Sequence, residues 1–210
     1  SKVSYNIFDV GANTGLFSII SKASNPNSNI YAFEPIDRIY NRLKHNTLIN
    51  KMNIQSYLIA ISNEDGSADI YDLDVDHHYH ASLKKSEVKH FKGIRPTKVD
   101  TCRFDSFVNV ENIESVDLVK IDVEGFEVEV IEGMDLTIQQ YMPSILIEIK
   151  SAENANLIYE MTKDIGYEFY DVNEERGLQK HEKLVKSSRW NCLLLSPKHQ
   201  EIFKEIQFGG

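Results

Sequence analysis

Short apolar runs alternate with amphipathic segments along most of the chain, and this alternation limits the folds that the chain can adopt. Residues 5–10 and 29–33 are predicted to be buried strands, and each is followed by a segment whose apolar residues suit one face of a helix. Residues 54–61, 116–121 and 144–149 carry the same strand signal. Strands separated by helices favour a parallel sheet with helices on both faces, and ligands of such sheets bind at the carboxyl ends of the strands.

The last part of the chain departs from this alternation. Residues 167–172 and 191–196 are predicted to be two strands joined by a polar stretch without a helical pattern, which indicates an antiparallel pair at one edge. The expected fold class is therefore α/β with a mixed sheet.

A long insertion separates the third and fourth predicted core strands. It covers residues 63–112, far more than the usual connection, and long insertions in compact domains are often lids or binding loops. Strand-like runs at 68–75 and 97–103 predict a hairpin within the insertion. We expect the insertion to act as a lid over the ligand site.

The composition is typical of a soluble globular chain. The 210 residues are expected to form one domain, 1–210, because compact domains typically have ~100–200 residues. No apolar run approaches the ~18 residues of a membrane-spanning helix. Two distant cysteines and the absence of a leader-like segment favour a cytoplasmic protein. The formal charge of −9 argues against a nucleic-acid partner, because nucleic-acid binders usually carry a basic face.

The first predicted strand ends in a turn with the pattern D-x-G-x-x-x-G, formed by Asp9, Gly11 and Gly15. Glycine lets a backbone turn sharply and approach a ligand closely. Glu34 follows the second strand, 19 positions after Gly15, where a carboxylate can accept two hydrogen bonds from a ribose diol. A plain turn or a solvated acid would explain either feature alone, but together they predict an adenosine cofactor.

The loop residues favour one adenosine cofactor over another. NAD-binding folds prefer G-x-G-x-x-G, whose glycines admit a pyrophosphate to the helix end, whereas Asn13 stands where the middle glycine would be. The Asp9 carboxylate would oppose a pyrophosphate, but it can help to orient an ammonium group directly or through water. The turn therefore favours S-adenosylmethionine, whose methionine end carries such a group, over NAD.

A Lys-Ile-Asp-Val-Glu-Gly-x-Glu run at 120–127 resembles the FkbM family of class I methyltransferases. The resemblance covers nearly the whole chain, with matching segments at 9–15, 33–35 and 60–66 before this run and at 191–197 after it. It implies a Rossmann-like sheet of seven strands in the class I methyltransferase order, the last one antiparallel. It also implies methyl transfer from S-adenosylmethionine, typically to a hydroxyl oxygen of a sugar or natural product.

The resemblance further implies roles for individual residues. The methionine part of the cofactor would be surrounded by Asp9, Gly11, Asn13 and Gly15, the ribose would be held by Glu34, and the adenine would lie near Ala60, Ile61 and Ser62. Asp122 and Glu124 would face the reacting centre, so Asp122 is a candidate for both cofactor binding and catalysis. The family often has His or Asn just after the Glu of the fifth strand, whereas here Glu148 and Ile149 precede Lys150, which leaves the acceptor side open.

Three acids are the candidates for chemistry at an acceptor hydroxyl, which benefits from a general base or from a metal that lowers its pKa. Asp122 and Glu124 are two positions apart, so their side chains would lie on the same side of a strand. Glu148 ends another core strand 26 positions after Asp122. Alternatively, Asp122 or Glu124 caps the helix that opens near Gly125, or the acids together bind a divalent ion. A metal is not the favoured interpretation, and no metal ligand is assigned.

Two other features leave a ligand role open. His77, His78, Tyr79 and His80 lie in the insertion, where a solvated loop tip is favoured over a base, a substrate contact or a metal pair. With Ser82 they are also candidates for an acceptor-side lid. Trp190 and the Tyr-rich edge strand are candidates for stacking on a sugar, although packing is the favoured role.

Competing functions lack their own motifs. An NAD-dependent oxidoreductase would need the middle loop glycine and usually a Tyr-x-x-x-Lys pair, and neither is visible. A nucleic-acid amino-methyltransferase would ordinarily show Asn/Asp-Pro-Pro-aromatic at the position of residues 122–125. A noncatalytic S-adenosylmethionine-binding domain stays open, because cofactor motifs can persist after acceptor chemistry is lost. The expected partner is a small-molecule or carbohydrate acceptor, with no nucleic acid and no membrane span.

Overall fold

The structure is a computed structural model that describes residues 5–73, 81–82, 94–173, 175–187 and 189–208. Within these ranges the strands are β1 (Asn6–Val10), β2 (Asn29–Phe33), β3 (Gln55–Tyr57), β4 (Ala60–Ser62), β5 (Gly66–Leu73), β6 (Ala81–Ser82), β7 (Ile94–Arg103), β8 (Leu118–Ile121), β9 (Ser144–Glu148), β10 (Glu168–Asn173), β11 (Gly177–His181) and β12 (Asn191–Leu195). The helices are α1 (Leu16–Ser24), α2 (Asp37–Ile49), α3 (Phe104–Val110), α4 (Glu127–Glu132), α5 (Asp135–Tyr141), α6 (Ala152–Thr162) and α7 (Gln200–Phe208), with a 3-10 turn at Pro197–His199. None of the helices in these ranges is both long and apolar enough to cross a membrane.

Eight of the described strands form one sheet in the order β11-β10-β12-β9-β8-β1-β2-β3. The five strands from β3 across to β9 are parallel. Beyond β9, the strands β12, β10 and β11 each pair antiparallel with the neighbour before them. The mixed α/β sheet and the antiparallel pairing of β10 with β12 confirm the prediction, although β11 lies outside this pair at the edge.

Helices cover both faces of this sheet. Successive side chains of a strand point to opposite faces. Along β2, Phe33 packs in the main core with Phe107 of α3, whereas Ala32 packs in a separate cluster with Leu43 of α2. β2 is thus buried on both sides, as is its neighbour β1, which is why these two strands appear in the sequence as nearly continuous apolar runs.

Two features of the sheet differ from the prediction. The run at 54–61, expected to be one strand, is divided into β3, which pairs with β2, and β4, which pairs with β7 in a second sheet. The local pattern did not reveal the division, because the backbone partner of β4 lies far along the chain. The stretch after β10 contains the additional strand β11, so the sheet of described strands has eight members rather than seven. No residue of β11 is buried, so it lacks the apolar alternation by which strands are recognised.

The insertion contains the expected hairpin. β5 pairs antiparallel with β7 along the whole of β5, close to the runs predicted at 68–75 and 97–103. Together with β4 and β6 they form the second sheet, in the order β4-β7-β5-β6. The run from His77 to His80 lies outside the described residues, so its proposed roles stay predictions.

The turn after β1 brings two strand ends into close contact. Gly11 has a φ of 76°, and a Cβ at this position would lie 2.0 Å from the backbone oxygen of Asp122. The N–H of Asp122 in turn donates to the carbonyl oxygen of Val10 at 3.0 Å. Only glycine permits this approach. The contact joins the loop after β1 to the residue that follows β8, at the carboxyl edge of the sheet.

We expect Gly11→Ala to lower the free energy of unfolding by more than about 3 kcal/mol, because the methyl group would overlap the Asp122 carbonyl and strain the backbone. Gly177→Ala is the matched control. Its φ of 74° is similar, but nothing lies within 4 Å of the added carbon, so only the backbone strain of about 1–2 kcal/mol applies. Urea unfolding measures both values, and equal losses would contradict the role assigned to the close contact.

Candidate active site

A cleft opens at the carboxyl edge of β1, β2 and β8. It spans about 710 Å³ when the open solvent at its mouth is included. Most of the residues singled out in the sequence line it, namely Gly11, Asn13, Glu34, Ala60, Ile61, Asp122 and Glu124. The fold therefore gathers into one cavity side chains that are distant in the sequence.

Glu34 is held in place at the end of β2. Its side chain is buried, and its two carboxylate oxygens accept hydrogen bonds from the backbone N–H groups of Asn13 and Ile36, each at 3.0 Å. The loop passes through a left-handed conformation at Asn13, with a φ of 50°, where its amide meets Glu34. A carboxylate has roughly four acceptor positions, which lets it bind backbone amides and a diol at the same time.

An apolar wall lies beside Glu34. Ile36, Ile61 and Ile70 line the cleft together with Ala60. Three of these, Ile36, Ala60 and Ile70, belong to a small buried cluster that joins the start of α2 to the second sheet. A flat apolar group can lie against this wall while Glu34 binds hydroxyl groups attached to it. Sequence analysis did not single out Ile36 and Ile70, because nothing local distinguishes them from core residues.

Three predicted cofactor residues lie outside the lining of the cleft. Asp9 is fully buried and accepts a hydrogen bond from the Ser18 hydroxyl at 2.6 Å. Gly15 is the N-cap of α1, and its N–H donates to the carbonyl oxygen of Ala12 at 2.9 Å. Ser62 is buried at the end of β4. In this structure they support the loop and the wall, and their contacts with a cofactor remain predictions.

Lys120 links the buried Asp9 to the cleft. Its ammonium nitrogen lies 3.3 Å from Oδ1 of Asp9 and 3.4 Å from Oδ2 of Asp122. Burial alone would lower the pKa of Lys120, but the two carboxylates outweigh burial and raise the pKa. Lys120 therefore stays protonated. Lys120 was not among the predicted site residues, although its position two residues before Asp122 puts both side chains on one side of the strand.

A second lysine joins the other two candidate acids. Lys150 forms ion pairs with Glu124 and with Glu148, whose Oε1 lies 3.2 Å from the lysine nitrogen. Burial and the negative charge of Asp122 raise the pKa of Glu148, and Lys150 offsets this only in part. The structure thus brings Asp122, Glu124 and Glu148 together, as the sequence predicted, and adds Lys150 to them.

The capping role considered for Asp122 or Glu124 is taken by another residue. The N–H of Gly125 donates to Glu127 at 2.6 Å, and the helix that follows has no side-chain cap, so Glu127 satisfies the backbone where Asp122 or Glu124 was considered. Among the residues that the structure describes, no group of three or more His, Cys, Asp or Glu side chains is placed to hold a metal ion.

Trp190 also lies at this edge, at the surface and not in the buried core, and its favoured packing role stays a prediction. Its residue surface is 46% exposed, and the Lys150 ammonium lies 5.5 Å from the centre of the indole ring. Trp190 lies in the turn before β12. It is not part of the strand, in which every second side chain points into the core. Its exposure therefore follows from its position in the turn.

Solved structures with a similar arrangement identify the fold. A crystal structure of methyltransferase FkbM from Methylobacillus flagellatus KT matches with a TM-score of 0.55 at 14% identity, covering 92% of this chain and 44% of that chain. The methyltransferase domain of METTL16 matches with a TM-score of 0.54 at 11% identity, covering 93% of this chain and 61% of that one. Likeness at such low identity concerns the fold, which is the class I methyltransferase fold.

The chain belongs to the methyltransferase FkbM family, whose domain model matches residues 9–181. Methyltransferase 1 of Beauveria bassiana is 27% identical over 158 residues, which cover 68% of this chain and 64% of that protein. The 2-O-methyltransferase NoeI of Sinorhizobium fredii is 28% identical over 138 residues, which cover 60% of this chain and 56% of that protein. The chain thus spans less than two thirds of the length of these curated relatives.

Proposed function

We propose that this methyltransferase uses S-adenosylmethionine to methylate a hydroxyl oxygen on a sugar or natural-product acceptor. The Glu34 carboxylate carries the proposal, because two backbone amides hold it beside an apolar wall and the loop at Gly11. These residues fit an adenosine, whose ribose hydroxyls donate to a carboxylate while its base lies against apolar side chains. The name of the relative NoeI, a 2-O-methyltransferase, supports an oxygen acceptor.

The donor would be held by residues from four parts of the chain. Glu34 would bind the ribose, and Ala60 and Ile61 would lie against the adenine. The loop with Gly11 and Asn13 would pass along the methionine part, with Asp122 near the reacting centre. When bound, S-adenosylmethionine supplies an electrophilic methyl group on a positively charged sulfur. Carboxylates at this edge favour such a cation electrostatically.

Glu148 is the best candidate for the general base. Its raised pKa makes it a stronger base than an ordinary glutamate, and above that pKa it is ionised. Glu148 would take the proton from the acceptor hydroxyl as the oxygen bonds to the methyl carbon. The acceptor must be held about 3–3.5 Å from that carbon in line with the breaking bond. Glu124 and Lys150, which form an ion pair beside Glu148, would hold the acceptor in this position.

The hairpin insertion, residues 63–112, is proposed as the acceptor-side lid. Ile70 of β5 lines the cleft, so part of the insertion already contributes to the wall. An insertion that already contributes to the wall of the cleft is suited to cover a bound acceptor.

Calorimetry with S-adenosylhomocysteine tests the donor site. The wild type should bind S-adenosylhomocysteine but not NAD. Glu34→Ala should weaken the binding by at least about 100-fold, because hydrogen bonds to a charged group contribute about 1.5–3 kcal/mol each. Glu160→Ala, at an exposed position on α6, should bind like the wild type. Binding of NAD alone would contradict the proposal, and unchanged affinity in Glu34→Ala would contradict the ribose assignment.

The pH dependence of kcat/KM for methyl transfer to a panel of methyl glycosides and alcohols tests Glu148 as the base. Since Glu148 must be ionised, activity should fall as the pH drops through its raised pKa, which lies above the ordinary 4.5. Asp122→Asn should move this acid limb to lower pH, because it removes a charge that raises the pKa. Lys150→Met should move the limb to higher pH for the opposite reason.

Two further variants complete this test. Glu148→Gln should lower kcat by about 10²–10⁴-fold while S-adenosylhomocysteine affinity stays unchanged. Glu153→Gln, at an exposed position of α6, is the control and should behave like the wild type. Full activity in Glu148→Gln would exclude Glu148 as the base. Cofactor binding without transfer to any acceptor would favour a noncatalytic binding domain.

A further inference from the structure

Trp190 stands directly beside the proposed base. The N–H of Ile149 donates to the carbonyl oxygen of Trp190 at 2.7 Å, which joins the turn before β12 to the end of β9. The next residue, Asn191, is paired with Glu148 in the sheet. The backbone of Trp190 is therefore tied to the same strand end that carries Glu148.

The conformation of Trp190 is costly, and packing does not explain it. Its φ of 66° lies in the left-handed region, which is unusual for a bulky side chain. With 46% of its surface exposed, the residue also gives up much of the stabilisation that burial of an indole provides. Strained conformations of this kind cluster at ligand sites, where they hold a side chain ready for binding. Trp190 is thus better suited to bind a ligand than to stabilise the fold.

Lys150 connects Trp190 to the cleft. Its ammonium lies over the indole ring, 5.5 Å from the ring centre, and the same group pairs with Glu124 and Glu148. Glu124 lines the cleft in which the donor would bind. The indole ring, the lysine and the two glutamates therefore form one connected group of side chains, which reaches the cleft at Glu124.

The charges around this group restrict the ligand. Asp9 and Asp122 share Lys120, and Glu124 and Glu148 share Lys150. Asp122 and Glu148 bring the two groups together, so four carboxylates face two ammonium groups. This surplus of negative charge opposes a phosphorylated or carboxylated acceptor. Carboxylates accept hydrogen bonds strongly from hydroxyl groups, whereas the indole ring offers an apolar face. A pyranose ring without charge meets both conditions, since it has an apolar C–H face and a hydroxyl-bearing edge.

We propose that Trp190 is the stacking surface for an uncharged sugar ring of the acceptor, with Glu124 and Lys150 binding hydroxyl groups at the edge of that ring. The inference rests on the proposed function and names the acceptor class for the same site. Stacking fixes the plane of the sugar beside the strand end that carries Glu148, so one hydroxyl group is directed to the base. Trp190 is on this account a specificity-determining residue.

Intrinsic fluorescence tests this directly, because the chain has a single tryptophan and its emission reports on Trp190 alone. In the presence of S-adenosylhomocysteine, methyl glucoside or methyl fucoside should produce a saturable blue shift as the sugar displaces water from the indole. Methyl glucuronide, which carries a carboxylate, should bind at least about 10-fold more weakly. Cyclohexanol, which has a single hydroxyl group, should produce no saturable change.

Trp190→Gly is the decisive variant, because glycine adopts a positive φ without strain and the variant should resist urea at least as well as the wild type. It should raise KM for the glycosides by at least about 10-fold, with a smaller effect on kcat and no effect on S-adenosylhomocysteine affinity. Trp190→Phe should restore part of the loss. Leu157→Ala, at another exposed apolar position, should leave KM unchanged.

Several results would overturn the inference while leaving the proposed function intact. These are glycosides that bind or are methylated without changing the emission, an unchanged KM in Trp190→Gly, and cofactor binding with no glycoside binding. Failure of the wild type to bind S-adenosylhomocysteine would instead contradict the proposed function, so the two failures are distinguishable.

Discussion

The pairing of Lys120 with Asp9 and Asp122 is the interaction on which the rest of the site depends. Asp9 is fully buried on β1, and a buried carboxylate without a partner would destabilise the fold by several kcal/mol. Its need for a counter-ion fixes Lys120 on the neighbouring strand, and Lys120 in turn holds Asp122 at the edge of the cleft. The close approach of Gly11 to the Asp122 carbonyl joins the same two strand ends through the backbone.

From this point the two halves of the site use different kinds of contact. In the proposed donor half, backbone amides hold Glu34 against an apolar wall, so its geometry follows from the fold of the loop and of β2. The proposed acceptor half consists of charged side chains that constrain one another: Asp122 raises the pKa of Glu148, and Lys150 holds Glu148 beside Glu124. If these roles hold, a few side chains at the acceptor edge can change specificity while the donor half stays the same.

Much of the fold was predictable, because the central strands are short apolar runs, and β1 and β2 among them are buried on both faces. What could not be predicted depends on partners that are distant in the sequence. β4 leaves the main sheet to pair with β7, and the exposed strand β11 has no apolar pattern of its own. In the site, Glu34 and the three acids were recognisable from their positions at strand ends. The ion pairs of Lys150 and the exposure of Trp190 were not, because they depend on the tertiary arrangement of β9 and β12.

A crystal structure of the protein with S-adenosylhomocysteine is the most direct test of the central claim, that the cleft binds this donor through Glu34. The account predicts both ribose hydroxyls within about 2.5–3.0 Å of the Glu34 carboxylate oxygens. It also predicts the adenine against Ala60 and Ile61, and the sulfur beside Asp122. A ribose that makes no contact with Glu34, or a ligand bound outside the cleft at the carboxyl ends of β1 and β2, would contradict it.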